Sequence, residues 1–175
     1  AAGAATVFGF APFGLSALPI VTLSLLFALW QDAASARSAA AMGFAFGLGL
    51  FGAGASWVFI ALNTFGGMPL PVAAVATTGF CAFLALYPAA AGWVAANWTM
   101  PGSWRRAFAA AAAWTLAEWA RSVVFTGFPW LSLGYAALPE TGRSPLAGYA
   151  PVGGVFLATL AMTVVAAALA LMIDA

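Results

Sequence analysis

Six stretches of this chain are almost continuously apolar, at roughly 1–11, 15–30, 38–62, 72–97, 107–125 and 152–173. The breaks between them hold prolines, glycines and most of the few charges: APFG at 11–14, QDAASAR at 31–37, NTFGGMPLP at 63–71, WTMPGSWRR at 98–106 and a longer stretch at 126–151. The runs are rich in Ala, Leu, Gly and Phe and do not alternate apolar with polar, as a membrane strand would over about ten residues. They therefore predict helices. About 20 residues cross the hydrocarbon core of a bilayer, so the first run is either a partial span or the tail of a longer one. Pro19 falls in the first turns of the second run, where a missing N–H does least harm, and Pro88 predicts a kink near Tyr87 in the fourth.

Composition turns six helices into a membrane bundle. The chain is 65% hydrophobic and 5% charged, against about 25% charged for soluble domains. The fold class is all-α, a polytopic transmembrane helical bundle in the lipid bilayer. Net charge is +1 with no histidine, and all the basic residues are arginines, so no basic stripe suits a nucleic acid. No cluster of His, Asp, Glu or Cys has metal-ligand spacing, and no metal or cofactor is expected. Cys81 stands alone in TTGFCAFLALY, where a small packing role is expected and an internal disulfide is impossible. If loops alternate sides, Arg37, Arg105 and Arg106 share one face and Arg143 stands on the other. The excess of arginine then puts 31–37 and 98–106 in the cytoplasm and 63–71 and 126–151 outside it. Ala1 is not a methionine and Ala175 follows a hydrophobic run, so the chain reads as a segment of something longer.

Two runs carry more than hydrophobicity. The third has Gly43, Gly47 and Gly54 on nearly one face, and small residues let helices approach closely in lipid. The same spacing arises by chance in any glycine-rich helix, but the pattern favours this helix as the centre of the bundle, with Phe46 facing outward to lipid. The fifth run carries Trp114, Glu118, Arg121 and Phe125 at i, i+4, i+7 and i+11, a single stripe. A carboxylate or guanidinium at mid-membrane depth costs about 2.5–3.5 kcal/mol on insertion scales, so the pair Glu118 and Arg121 has a role. TGFPWLSLGY follows at 126–135 and presents Phe128, Trp130 and Tyr135. On the residues alone this is either an aromatic anchor with a structural ion pair or a site that handles lipid. Two further readings stay open: a small transporter, which places ionisable groups at mid-membrane, and a structural membrane protein in which the pair only glues helices.

FAPFGL (10–15), GAGASWVFIALNTFGGMP (52–69), EWAR (118–121), TGFPWLSLGY (126–135) and PLAGYAPVGGV (145–155) together resemble the membrane domain of bacterial apolipoprotein N-acyltransferase. The resemblance implies an inner-membrane enzyme that moves an acyl chain from a phospholipid donor to the diacylglyceryl-cysteine N-terminus of a lipoprotein. It also implies a periplasmic nitrilase-like domain with a Glu-Lys-Cys triad, which takes up the acyl chain as a thioester. These 175 residues lack that domain: there is no lysine, Glu118 lies in a helix and Cys81 is mid-helix. No catalytic residue is assigned among them, and the segment alone is expected to be inactive. Trp130 matches an aromatic position of the family motif at the mouth of the bundle, which implies a substrate contact there, with Phe128 and Tyr135 beside it.

Overall fold

The computed structural model describes residues 1–138 and 144–173. Arg143, counted above for orientation, and Asp174, expected to close the last run, lie outside the described residues. Helix α1 (Ala2–Thr6) is short and continues as a 3₁₀ turn, Val7–Gly9. Then come α2 (Ala17–Gln31), α3 (Ala36–Gly54) and the single turn α4 (Trp57–Ile60), which runs into a π-helical turn at Ala61–Phe65. Helices α5 (Leu70–Trp98), α6 (Trp104–Val123), the one-turn α7 (Leu133–Ala136) and α8 (Ala150–Ile173) complete the bundle. The described residues hold no strand. Three helical stretches are long and apolar enough to cross a membrane: Ala36–Gly54, Leu70–Trp98 and Pro145–Ile173.

The local sequence explains the boundaries. Ser35 accepts from the amide of Ser38 and Ser103 from that of Arg106, so α3 and α6 each start on a serine cap. The run at 38–62 is not one helix: α3 ends at Gly54, and α4 starts again after Ala55 and Ser56. Helix α5 runs through Pro88 as one element. Near its start α8 is broken at Gly153 and Gly154, and Gly154 takes φ +66°, a backbone state that suits glycine.

Helix α3 is central because its glycines bring three neighbours close. A Cβ on Gly47 would lie 2.8 Å from the Cα of Ala85, and one on Gly43 would lie 3.1 Å from the Cα of Ala89, so α5 packs backbone to backbone on this face. A Cβ on Gly49 would lie 3.0 Å from the amide nitrogen of Ala4, which seats α1 on another face. The third glycine of the stripe does something else: Gly54 makes room for the side chain of Leu131, in the loop after α6. Phe46 is not lipid-facing as the pattern suggested. It is buried, with its ring edge-on to Trp114 at 5.8 Å. The exposed positions of α3 fall on a different stripe, at Ala41, Ala45, Leu48 and Gly52.

The far end of the bundle is tied by Arg106, which is 3% exposed. Its guanidinium donates to the carbonyls of Trp30, Gln31 and Ala33, each at 3.2 Å, to Ala96 at 3.1 Å and to Thr99 at 2.8 Å. One arginine thus satisfies carbonyls at the ends of α2 and α5, where unpaired acceptors and the helix dipole both favour a cation. Arg37 and Arg105 are the exposed arginines of this face.

Gly47→Leu should drive α3 off α5 and abolish recovery of folded protein from detergent. Gly52, whose Cβ direction meets nothing within 4 Å, should accept alanine with unchanged thermal stability. Similar losses for the two variants would contradict the packing described.

Candidate functional site

Helix α6 ends at Val123, two residues before the run was expected to stop, because the backbone then turns left-handed. Phe125 takes φ 51°, Thr126 φ 72°, Gly127 φ 82° and Leu131 φ 59°. Three of the four are not glycine, a state that costs of order 1–3 kcal/mol per residue and persists only where surroundings over-determine it. At Gly127 no other residue fits well, since a Cβ would also strike the Ser122 carbonyl. The turn throws Phe125 out of the stripe formed by Trp114, Glu118 and Arg121, and its side chain is 79% exposed.

Glu118 and Arg121, both buried, are what hold the loop. The sequence leads one to expect that Glu118 depends on Arg121 or on a backbone neighbour; its hydrogen bonds go to Trp114, the Leu133 amide and Thr159, and those of Arg121 to the segment that follows. Arg121 donates to the carbonyls of Phe128 and Trp130, the latter at 2.6 Å, and to the hydroxyl of Ser132 at 3.3 Å. Its guanidinium lies 5.2 Å from the ring centre of Phe51 on α3, within cation–π range. Glu118 accepts from the indole N–H of Trp114 at 3.1 Å and from the amide of Leu133 at 3.0 and 3.2 Å on its two oxygens. The Thr159 hydroxyl donates to Glu118 Oε2 at 2.9 Å and accepts from the amide of Gly134 at 2.9 Å. A carboxylate on α6 therefore caps α7 and reaches α8 through one threonine.

With its backbone fixed, the loop lines a cavity of about 720 Å³. Phe128, Trp130 and Tyr135 stand on one side, and Phe10 to Gly14 form the other, with Gly54 between. Trp130 is half exposed, donates its indole N–H to the Gly54 carbonyl at 3.0 Å and meets Trp57 edge-on at 5.6 Å. Phe128 packs edge-on against Phe80 of α5 at 4.9 Å. The structure thus gathers the three aromatic candidates and Gly54 around one space. Gly43 and Gly47 lie elsewhere, in the α3–α5 contact. The wall at Phe10–Gly14 escaped sequence reasoning as a site, although FAPFGL was among the stretches that carried the resemblance. Thr159 and Ser132 escaped it altogether, because a single hydroxyl in an apolar helix or loop has no signal until its partner is known. In form the cavity suits a molecule with an apolar body: its walls are aromatic and aliphatic, and Glu118 and Arg121 are not among the residues that line it.

The family described as "Apolipoprotein N-acyltransferase N-terminal domain" matches residues 2–168. The chain is 49% identical over 170 residues to an apolipoprotein N-acyltransferase of Nitrosomonas europaea, covering 97% of this chain and 34% of that protein. It is 44% identical over 151 residues to one of Methylococcus capsulatus, covering 85% and 29%, and 40% identical over 178 residues to one of Vibrio vulnificus, covering 96% and 32%. The chain spans about a third of the length of these relatives.

The clamp makes unequal demands on its two charges. Arg121→Ala leaves two carbonyls without a donor and a buried carboxylate without its nearby cation, and should cost about 3–5 kcal/mol. Glu118→Ala orphans the amide of Leu133 and the Trp114 indole but leaves Arg121 bonded to Phe128, Trp130 and Ser132, and should cost less than Arg121→Ala. Arg121→Lys should not restore stability, since an ammonium lacks the planar fork that reaches Phe128, Trp130 and Ser132 together. Thermal unfolding in detergent ranks the three variants, and equal losses for the two alanine variants would contradict the clamp.

Proposed function

The chain belongs to the apolipoprotein N-acyltransferase family, and from that premise we propose that it is the membrane part of a phospholipid:apolipoprotein N-acyltransferase. Its task is to hold lipid substrates for a catalytic domain lying beyond Ala175. The reaction moves an acyl chain from a phospholipid to the α-amino group of the diacylglyceryl-cysteine that begins a lipoprotein. In the first half a cysteine thiolate of that domain attacks the phospholipid ester, forms a thioester and releases a lysophospholipid. In the second the lipoprotein amine attacks the thioester, forms the amide and releases the thiolate.

The observation that carries this reading is the cavity bounded by Phe128, Trp130 and Tyr135 on one wall and Phe10–Gly14 on the other. Both substrates are lipids with an apolar body and a reacting group near the membrane surface. An apolar cavity at the end of a helical bundle can seat the chains and leave the head accessible. The fixed backbone of the loop supports a positioning role, since misplacement by about 1 Å can cost about 100-fold in rate. A transporter would need a buried ionisable group free to change partners. Among the described residues the buried charged side chains are Arg106, Glu118 and Arg121, each hydrogen-bonded to backbone.

We place the protein in the bacterial inner membrane as a multi-pass protein, with 31–37 and 98–106 cytoplasmic and 126–151 on the periplasmic side. Single cysteines in a Cys81→Ala background should react with an impermeant thiol reagent at 126–151 but not at 98–106, in cells with a permeabilised outer membrane. The reverse pattern would invert the topology.

In the full-length enzyme, Trp130→Ala should reduce N-acylation strongly while the protein still inserts. Trp130→Phe keeps the ring but loses the N–H to Gly54, and should fall between the two. The measurement is mass spectrometry of a lipoprotein N-terminus, comparing diacyl with triacyl forms in cells depleted of the native enzyme. Full triacylation by Trp130→Ala would reduce the loop to an anchor. Triacylation by residues 1–175 alone would defeat the assignment of catalysis to a later domain.

A further inference from the structure

Between α3 and α5 the chain leaves the bundle. Ala55 and Ala73 are both completely buried, yet none of the residues from Ser56 to Val72 is. This arm is not polar. It contains no charged residue and presents Trp57, Ile60, Phe65 and Leu70, exposed at 44%, 53%, 85% and 63%. Part of its polar backbone is paired within the arm. The amide of Gly66 bonds the Ala61 carbonyl at 2.9 Å, closing the π turn, and that of Met68 bonds Leu62 at 3.0 Å. The side-chain amide of Asn63 donates to the Met68 carbonyl at 2.8 Å, and Pro69 and Pro71 have no N–H to satisfy.

We propose that Ser56–Val72 is not an aqueous loop but an arm immersed in the acyl-chain region of the leaflet at the cavity's end of the bundle. Three observations favour lipid as its partner. First, both flanking helices are long and apolar enough to cross the membrane, which puts the segment between them at one of its surfaces. Second, the lengths place it low in that surface. The 19 residues of α3 span roughly 28 Å, about the thickness of the hydrocarbon core, so the arm starts where the core ends. The 29 residues of α5 span roughly 43 Å, so α5 is long enough to tilt and bring its first turns and the arm back toward the core. Third, hydrocarbon tolerates irregular backbone better the more of its polar groups are paired internally, and the π turn with Asn63 pairs those of Ala61, Leu62, Gly66 and Met68. A surface built to dock a soluble protein domain would carry the polar rim found at such interfaces, which the arm lacks. This inference does not rest on the acyl-transfer reading.

The test uses the full-length protein in phosphatidylcholine–phosphatidylglycerol vesicles, in a Cys81→Ala background. A fluorophore on Phe65→Cys is quenched either by bromine on lipid acyl chains or by aqueous iodide. Leu70→Cys is a second position, and Asp32→Cys is the aqueous control. All three positions are exposed, so none removes a packed side chain. The expected result is strong quenching by brominated lipid at Phe65 and Leu70 with little by iodide, and the reverse at Asp32. Iodide quenching at Phe65 and Leu70 as strong as at Asp32 would overturn the proposal. So would protection from both quenchers, which would mean that protein, either a further domain or a second copy, covers the arm.

Discussion

Inside a membrane, a backbone that leaves helical geometry must find partners for its own N–H and C=O groups, because lipid supplies none. The loop after α6 meets this demand with two side chains from the helix that precedes it. Arg121 supplies donors to Phe128 and Trp130, and Glu118 supplies an acceptor to Leu133. Each such group left unpaired would cost about 1–3 kcal/mol, comparable to the strain of one left-handed residue. Clamp and strain are therefore of the same order, and the loop keeps its shape because the side chains below it hold both kinds of backbone group.

Arg106 solves the same problem at the other end of the bundle. Among the described residues neither Arg106 nor Arg121 is hydrogen-bonded to a carboxylate; both are bonded chiefly to carbonyls. A guanidinium presents five N–H donors in a fixed plane and no acceptor, so it suits the places where several helix or loop ends leave carbonyls together. A lysine has three donors on one point and could not span them. That gives a physical reason for arginine at 106 and 121, and it makes these two side chains structural elements of the bundle ends.

The sequence made the helical bundle legible because low charge and long apolar runs admit little else. It also made the central helix legible through Gly43 and Gly47, whose small size has no other purpose once α5 lies 2.8 Å from the Cβ direction of Gly47. Three things were not legible. The break after Gly54 has no charge or proline to mark it. The inward face of Phe46 could not be read from periodicity, since a helix packed on several sides has no single apolar face. Of the partners of Glu118, Trp114 lies on the stripe that the spacing showed, but Leu133 and Thr159 were hidden because they are 15 and 41 residues away. Of the site, the aromatic wall could be named from its motif. The opposing wall at Phe10–Gly14 could not, because only folding brings the start of the chain against residues 128–138.

The two walls of the cavity are held very differently. Trp130 is fixed four ways: by its carbonyl to Arg121, by its indole N–H to Gly54, by its ring to Trp57, and by a neighbour, Leu131, seated in the notch left by Gly54. The wall at Phe10–Gly14 is held by its own turn: the amides of Phe13 and Gly14 both bond the Phe10 carbonyl at 3.0 Å, and Phe13 packs on Phe8. Burial differs in the same sense, since Leu131 is buried while Phe13 is 56% exposed. A cavity that holds a ligand in one pose needs a wall of fixed geometry, because misplacement by about 1 Å can cost about 100-fold in rate. Here that wall is the one anchored through Glu118 and Arg121 to three helices. That arrangement ties the two buried charges to the cavity without either of them facing it.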